Sequence, residues 1–517
     1  MVFNFGRYIK SNPDKIVFIL IIVNFLIRIL IYSSAKIFYF SDFGTYLKEI
    51  ENIGSNGNYY FLKDNYLLGI SYLGAFAKNI LGNLDYFFVL NCFLASITGL
   101  IIYRILIILT SMPKAGIIAL AISTFYTEYM VFSTVFYSQV IMIFLLSLFI
   151  LLLFQFLNEG ILIRQVVLAV GLILVFLLSF FFKLEFKYIP CFLLFGALIP
   201  FRLNKIYSMR LAILSFILII SFFIFNKSQI VSSPPGSIVS NAFVFFGHTD
   251  YGGDGGEGSF VYPGNRTRYE AAFIEYCKVN NIFKPEQSDY NSFHQKEIID
   301  YITQNPIKWV NLQFTKFFRT FGVVPETTSF KVLYTGLLNG NVWLTSIVVV
   351  APVALIILLF ILFFNHSAIV LLIKGSTAQR LNGTMALQPD DITTQEFAGS
   401  QLPITDHRSP ITDYHDSNKT GFLYIYLLLF VYFIIATIFF GQYQERYRLP
   451  LMVIFIIPAL GFFIASFNKD QFLKKSSLII KGAVIVLFLT IWTFQAKKAI
   501  ANQQRFQNAI ESVQNKR

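Results

Sequence analysis

The chain of 517 residues is 56% hydrophobic, 18% aromatic and only 13% charged, with a mean hydropathy of +0.63. Soluble globular chains carry about 25% charged residues, so these values exclude that class and leave a polytopic membrane protein. The formal charge of +13 is not nucleic-acid binding, because no polar domain carries a basic stripe interleaved with aromatics.

A membrane span needs about 20 mostly apolar residues, and the uncharged runs supply eleven candidates: 16 to 34, 86 to 109, 115 to 127, 135 to 157, 165 to 182, 188 to 201, 211 to 226, 340 to 364, 421 to 440, 450 to 466 and 478 to 495. The third, sixth and tenth are short and call for extension into their flanks or a locally thinned bilayer. The first follows Arg7, Lys10 and Lys15 without a small-residue cleavage site, and reads as a retained helix starting in the cytoplasm. Alternation from there places Arg104, Lys114, Arg164, Arg202, Lys205, Arg210, Lys469, Lys474, Lys475 and Lys481 inside, as the positive-inside rule requires. Only Lys183, Lys187, Arg446 and Arg448 fall in the short outside loops. The C-terminal tail, with Lys497, Lys498, Arg505, Lys516 and Arg517 outside, runs against that bias.

These spans divide the chain into an N-terminal transmembrane module (1–226), an external loop region (227–335) and a C-terminal transmembrane module (336–517). The first external loop, 35–85, contains Tyr66 to Ile80, a stretch suited to a helix lying in the interface. The second holds a Gly-rich segment, 247 to 258, then expected helices at 268 to 279 and 292 to 303. Pro306 next opens a basic, aromatic helix with Lys308, Trp309, Phe314, Lys316 and Arg319, again interfacial in character. The polar insertion 365–420 is poor in aromatics and reads as disordered and cytoplasmic.

Ionisable groups near membrane depth tend to mark function. Asp42, just beyond the first span, is either an acid at a helix mouth or the cap of a helix through Ile50. Arg446 and Arg448, in the polar link Gln442 to Pro450, are either a guanidinium clamp for an anion or snorkelling anchors. Glu128 is a second external carboxylate or a solvated loop charge; Arg28 is a snorkelling side chain or a further phosphate ligand. Lys183, Glu185 and Lys187 read as a mutually neutralising group. The five histidines have no metal-ligand spacing and no HExxH or CxxC occurs. The three cysteines form no disulfide framework. Asn265-Arg266-Thr267 fits a glycosylation sequon, a triplet common by chance.

Taken together, these motifs resemble membrane glycosyltransferases of the GT-C class, especially bacterial relatives of glycosyltransferase family 39, the dolichyl-phosphate-mannose-dependent type. Ser41-Asp42-Phe43 with Tyr46 is similar to their first-loop acidic motif, followed by Gly57-Asn58-Tyr59-Tyr60. Gln304-Asn305-Pro306 with Lys316 resembles the segment before their eighth span, and Glu445 to Pro450 resembles their late external RYRLP motif. The resemblance implies an all-α, GT-C-type bundle of about eleven transmembrane helices. It further implies a bacterial cytoplasmic membrane, an active site facing outside, Asp42 as general base, and Arg446, Tyr447 and Arg448 at the donor phosphate. Glu128 would be a second acid, with Arg28, Tyr46 and Lys316 in support. The implied partners are a polyprenyl-phosphate sugar, a glycan, lipid or protein acceptor and the bilayer. No cofactor is firmly implied, and the question of a divalent metal stays open. Two features depart from the pattern: Tyr137-Ser138-Gln139 stands where relatives often have an acid, and the insertion 365–420 has no counterpart. Two further readings stay open, a transporter or flippase for a lipid-linked glycan and a glycan polymerase or ligase.

Overall fold

The computed structural model describes residues 13–34, 42–55, 68–182, 184–199, 205–227, 244–252, 263–320, 354–359, 410–436 and 448–466, with single positions beyond. Every regular element among them is a helix. In chain order these are α1 (Pro13–Ser34), α2 (Asp42–Ser55), α3 (Leu68–Ala75, continued by a π-turn Phe76–Ile80), α4 (Asp85–Thr110), α5 (Pro113–Phe125), α6 (Thr127–Phe132), α7 (Gln139–Asn158), α8 (Leu162–Ser179), α9 (Ile189–Leu198), α10 (Lys205–Lys227), α11 (Pro263–Val279), α12 (Gln287–Gln304), α13 (Pro306–Thr320) and α14 (Pro410–Ile434). The last, α15 (Arg448–Ala465), has a π-helical stretch at Leu451–Ile456. Among the described residues, six helices are long and apolar enough to cross a membrane: α1, α4, α7, α8, α10 and α15. The molecule is an all-α, polytopic membrane protein.

The helices run up and down, and contacts at their two ends alternate along the chain. At one end the α4–α5 turn meets the end of α15, with Ser466 Oγ 3.8 Å from Met112 Sδ. The ends of α7 and α10 meet there in the same phase: Arg210 Nη1 donates to the carbonyls of Leu157 (2.7 Å) and Glu159 (2.8 Å). At the opposite end the Tyr32 hydroxyl at the tail of α1 bonds Asp85 at the head of α4. Local chemistry sets the turns. Met112 is extended, as a residue before proline is, and Pro113 opens α5, where its missing N–H costs nothing.

Close helix packing uses small residues, as is usual in a membrane. A Cβ on Gly461 of α15 would stand 2.5 Å from the Ala115 carbonyl oxygen and 2.8 Å from Ala119 Cβ, so the backbones of α15 and α5 touch. The buried core is correspondingly rich in aromatics, with Phe87, Phe136, Phe149 and Phe154 all sealed.

Two expectations change, and one gains detail. Residues 68–80, within the expected interfacial stretch, pack one side against the bundle: Ile70 and Ser71 are fully buried, Gly69 N–H donates to the Phe181 carbonyl at 2.8 Å, and Gly74 sits against Ile50 and Phe136, while Phe76 and Ile80 stay exposed. Its glycines let α3 press edge-on into the core, which composition alone does not reveal. The helix at the end of the 365–420 insertion begins at Pro410, well before position 421; the rest of that insertion lies outside the described residues. The third span ends at Phe125 and the fourth starts at Gln139, leaving a buried break between them.

Residues 244–252 and 263–320 form a second aromatic cluster. Phe245, Phe246, Tyr269, Phe273 and Phe293 are its core. Helices α11 and α12 start earlier than the expected 268 and 292; a reciprocal capping box between Glu286 and Asp289 holds the first turn of α12. On α13, Ile307 (83%), Val310 (44%) and Phe314 (59%) are exposed while Leu312, Gln313 and Lys316 face inward.

Candidate functional site

The break between α5 and α7 is the centre of the site. Tyr126 is extended and stops α5, α6 occupies Thr127–Phe132, and residues 133–138 turn into α7. Irregular backbone at such depth requires partners or a wet cavity. Partners are present: Asn91 Nδ2 donates to the Val135 carbonyl at 3.4 Å, the Cys92 thiol contacts the Ser133 carbonyl at 3.8 Å, and Thr134 N–H reaches the Val131 carbonyl at 2.9 Å. Ser133, Thr134, Ser138 and Gln139 are buried with them.

Glu128 on α6 is fully buried, not a solvated loop charge. Both of its carboxylate oxygens lie 3.1 Å from Nε of Arg448, itself 2% exposed. The Tyr126 hydroxyl donates to the same carboxylate. Arg448 is the first residue of α15, where the helix dipole disfavours a cation. The carboxylate 320 positions away in sequence offsets that. Arg448 is therefore not a snorkelling anchor in this structure; Glu128 holds its guanidinium inside the bundle.

Arg28 is also sealed, and so does not snorkel. Its guanidinium lies 4.9 Å from the centroid of the Tyr129 ring, bonds the Asn24 amide oxygen, and donates from Nη2 to the Ser123 carbonyl at 3.3 Å. Ser123 O is one of the last carbonyls of α5, so the cation caps a helix C-terminus. The short helix α6 thus stands between two guanidiniums, Arg448 beyond Glu128 and Arg28 beyond Tyr129.

Tyr46, buried on α2, packs edge-on against Phe136 (6.0 Å between centroids) and Tyr137 (6.5 Å). This docks the first-loop helix on the same break. Asp42 is the first residue of α2, one turn before Tyr46 on the same face; its side chain lies outside the described residues. So do Arg446 and Tyr447. Lys316 belongs to the second cluster, where its Nζ donates to the Gly247 carbonyl at 2.8 Å and burial pulls its pKa down to about 7. Trp309 Nε1 donates to His248 Nδ1 at 3.0 Å beside it. His294 shares a hydrogen bond of 2.8 Å with Tyr269. Lys187 lies over the Tyr188 ring at 4.7 Å; the side chains of Lys183 and Glu185 lie outside the described residues. Gln139, where an acid was expected, is buried at the start of α7.

Sequence reasoning missed two participants. Asn24 is a polar residue inside an apolar span, four positions before Arg28, a signal that was available. Glu49 on α2 accepts a hydrogen bond from buried Ser71; burial raises its pKa, and the Ser71 bond opposes that shift. Its place seven residues after Asp42 puts it on the same helix face.

No family model matches the sequence, and no curated protein matches it. Among solved structures the chain is similar to the archaeal oligosaccharyltransferase AglB from Archaeoglobus fulgidus, determined in complex with an inhibitory peptide and a dolichol-phosphate. The TM-score is 0.41 and the identity 13%, with 96% of this chain and 56% of that chain covered. The chain spans little more than half the length of that protein.

Proposed function

We propose that this protein is an inverting glycosyltransferase of the GT-C class that moves a sugar from a polyprenyl-phosphate donor to an acceptor hydroxyl on the extracytoplasmic side of the membrane. The observation that carries the reading is the Glu128–Arg448 pair, which joins the late RYRLP-like motif to the break on which the first-loop helix also docks through Tyr46. Three segments far apart in sequence, each singled out by the resemblance or by its charge, meet at one end of the bundle.

In this reading the acceptor hydroxyl oxygen attacks the anomeric carbon as the bond from that carbon to the phosphate oxygen breaks. The hydroxyl proton passes to Asp42, and polyprenyl phosphate leaves with the electron pair. A positioned base contributes about 10²–10⁴-fold, and one displacement inverts the anomeric centre. Charge accumulates on the departing phosphate, so preorganised guanidinium groups lower the barrier. Arg446 and Arg448 take that part with Tyr447 beside them, and Glu128 orients Arg448. No nucleotide site is needed, because the donor arrives already activated.

The test is Asp42→Asn, assayed by transfer of labelled sugar from a polyprenyl-phosphate donor. Turnover should fall at least about a hundredfold while the protein keeps its elution profile and donor binding. Wild-type turnover would return Asp42 to the role of helix cap. Donor binding without cleavage in the wild type, across candidate acceptors, would favour a flippase, and a requirement for a diphosphate donor would favour a polymerase or ligase.

A further inference from the structure

Helix α2 meets α3 and its π-turn through two acids that are treated differently. Glu51, on the exposed side, pairs with Lys78 at 3.6 Å. Glu49, on the side that carries Tyr46 into the core, is half-buried and has a neutral partner, the hydroxyl of buried Ser71. Among the described residues no cation pairs with Glu49. Lys78 is the one basic residue between positions 68 and 80, and it serves the acid that needs it least. Ser71 donates to Oε2 of Glu49, and no described donor reaches Oε1. Withdrawing a carboxylate from water without a counter-charge is costly, and a perturbed carboxylate kept at such a place tends to mark a site. Unlike a sealed group, this one stays open on one side, so a ligand can reach it.

We propose that Glu49 binds a glycan acceptor, its open carboxylate oxygen receiving a hydroxyl from a sugar unit beyond the one that carries the attacking hydroxyl. The inference rests on the proposed function for the place of the reaction at Asp42. Register supplies the distance. Glu49 follows Asp42 by seven residues on one face of α2, or about 10 Å along the axis at 1.5 Å per residue. One sugar ring is too short to span that gap, so the contact falls on a neighbouring unit. Chemistry supplies the ligand class. A guanidinium embraces both oxygens of a carboxylate, and Ser71 already holds one of these. A single hydroxyl needs only the other, and a glycan offers hydroxyls on every unit. Ser71 is then a positioning residue, since its bond fixes the direction in which the open oxygen points. A site prepared in this way for a substrate hydroxyl discriminates strongly against chains that lack it.

The test uses the purified full-length protein in detergent. The probes are the malto-, chito- and manno-oligosaccharide series, each from monosaccharide to tetrasaccharide, and a lysine-containing tripeptide, with binding read by native mass spectrometry. In at least one series the oligosaccharides should bind roughly tenfold more tightly than the monosaccharide, the worth of one hydrogen bond to a charged group. Glu49→Ala should remove that gain with length. Glu49→Gln, which keeps an uncharged acceptor oxygen, should retain part of it, Ser71→Ala should weaken it severalfold, and Glu51→Ala should leave it whole. No gain with length in any series overturns the proposal, as does a folded Glu49→Ala protein with the gain unchanged. If that variant does not fold, an unchanged gain in both Glu49→Gln and Ser71→Ala overturns it instead. Binding of the tripeptide through Glu49 in place of any sugar overturns it in favour of a basic peptide. Sugar transfer is scored separately. A binding role raises the acceptor KM of Glu49→Gln and spares kcat and the donor KM, whereas a merely structural role lowers kcat on every acceptor. Oligosaccharide binding through Glu49 without transfer refutes the glycosyltransferase reading alone, and transfer by Glu49→Ala with unchanged acceptor KM refutes this site alone.

Discussion

Removing one member of the Glu128–Arg448 pair should destabilise the protein more than removing both. The pair is sealed, with the two side chains 2% and 0% exposed and both carboxylate oxygens 3.1 Å from Nε, so solvent screens it little. At an effective dielectric of 20 and a charge separation near 4 Å, the mutual attraction is about 4 kcal/mol. Loss of one partner strands the other charge, which typically costs about 3–5 kcal/mol, whereas replacing both by uncharged groups of similar size is often near neutral. The cycle is Glu128→Gln, Arg448→Met and the double variant, each purified in one detergent and lipid mixture and melted while monitored by size exclusion. Glutamine keeps an acceptor for Tyr126, and methionine keeps the apolar stem of the arginine. Both single variants should melt well below the wild type and the double variant should recover most of the loss, a coupling of about 3 kcal/mol. Additive losses, or single variants that melt with the wild type, would refute the claim that each residue neutralises the other.

Two further tests address the helix contacts and the second cluster. Gly461→Ala should cost about 1–3 kcal/mol, because the new methyl meets the Ala115 carbonyl at 2.5 Å. Gly171→Ala, where the nearest atom is Leu152 Cδ1 at 3.6 Å, should leave the melting point within error. Lys316, held down to about 7 by burial, has a lower pKa folded than unfolded. The folded state therefore binds fewer protons between about pH 7 and pH 10.5, and stability must rise with pH across that window. The ceiling is on the order of 5 kcal/mol. Lys316→Met should flatten this rise relative to the wild type in melts run from pH 7 to pH 10. Parallel curves would show that Lys316 is charged in the folded protein throughout.

Much of the bundle is legible in the sequence because apolar length is a strong signal: α1, α4, α7, α8 and α10 each fall within a few residues of their expected runs. Pro113 and Pro306 mark helix starts by the same local logic. The break at 126–138 is legible only as a gap between the runs 115 to 127 and 135 to 157, not in its full extent or its burial. It contains neither glycine nor proline, and its Tyr, Phe and Val residues continue the apolar pattern. What stops the helix is tertiary, namely hydroxyl groups and neighbouring side chains that offer the backbone other partners, such as Asn91 to Val135. The acids and bases were visible as residues but not as a pair. Nothing local to Glu128 points to position 448. The fates of Arg28 and Tyr46 likewise depended on which face each helix turned inward.

The break after Tyr126 also bears on how the protein tolerates change. Within a dozen residues the chain supplies Glu128 to α15, Tyr129 to α1, the Val135 carbonyl to α4 and Tyr137 to α2. A continuous helix through this region would repeat its faces every 3.6 residues, and could not address four neighbours in that order. The segment behaves as a keystone: one residue inserted between 133 and 138 would re-phase Tyr137 and Val135 against Glu128 and Tyr129. Substitutions on its four partners should consequently show strong dependence on one another, although the partners stand in distant parts of the chain. A mutational scan of pairs should find that epistasis concentrated on residues 126 to 138, and sparse along the lipid-facing flank of α8.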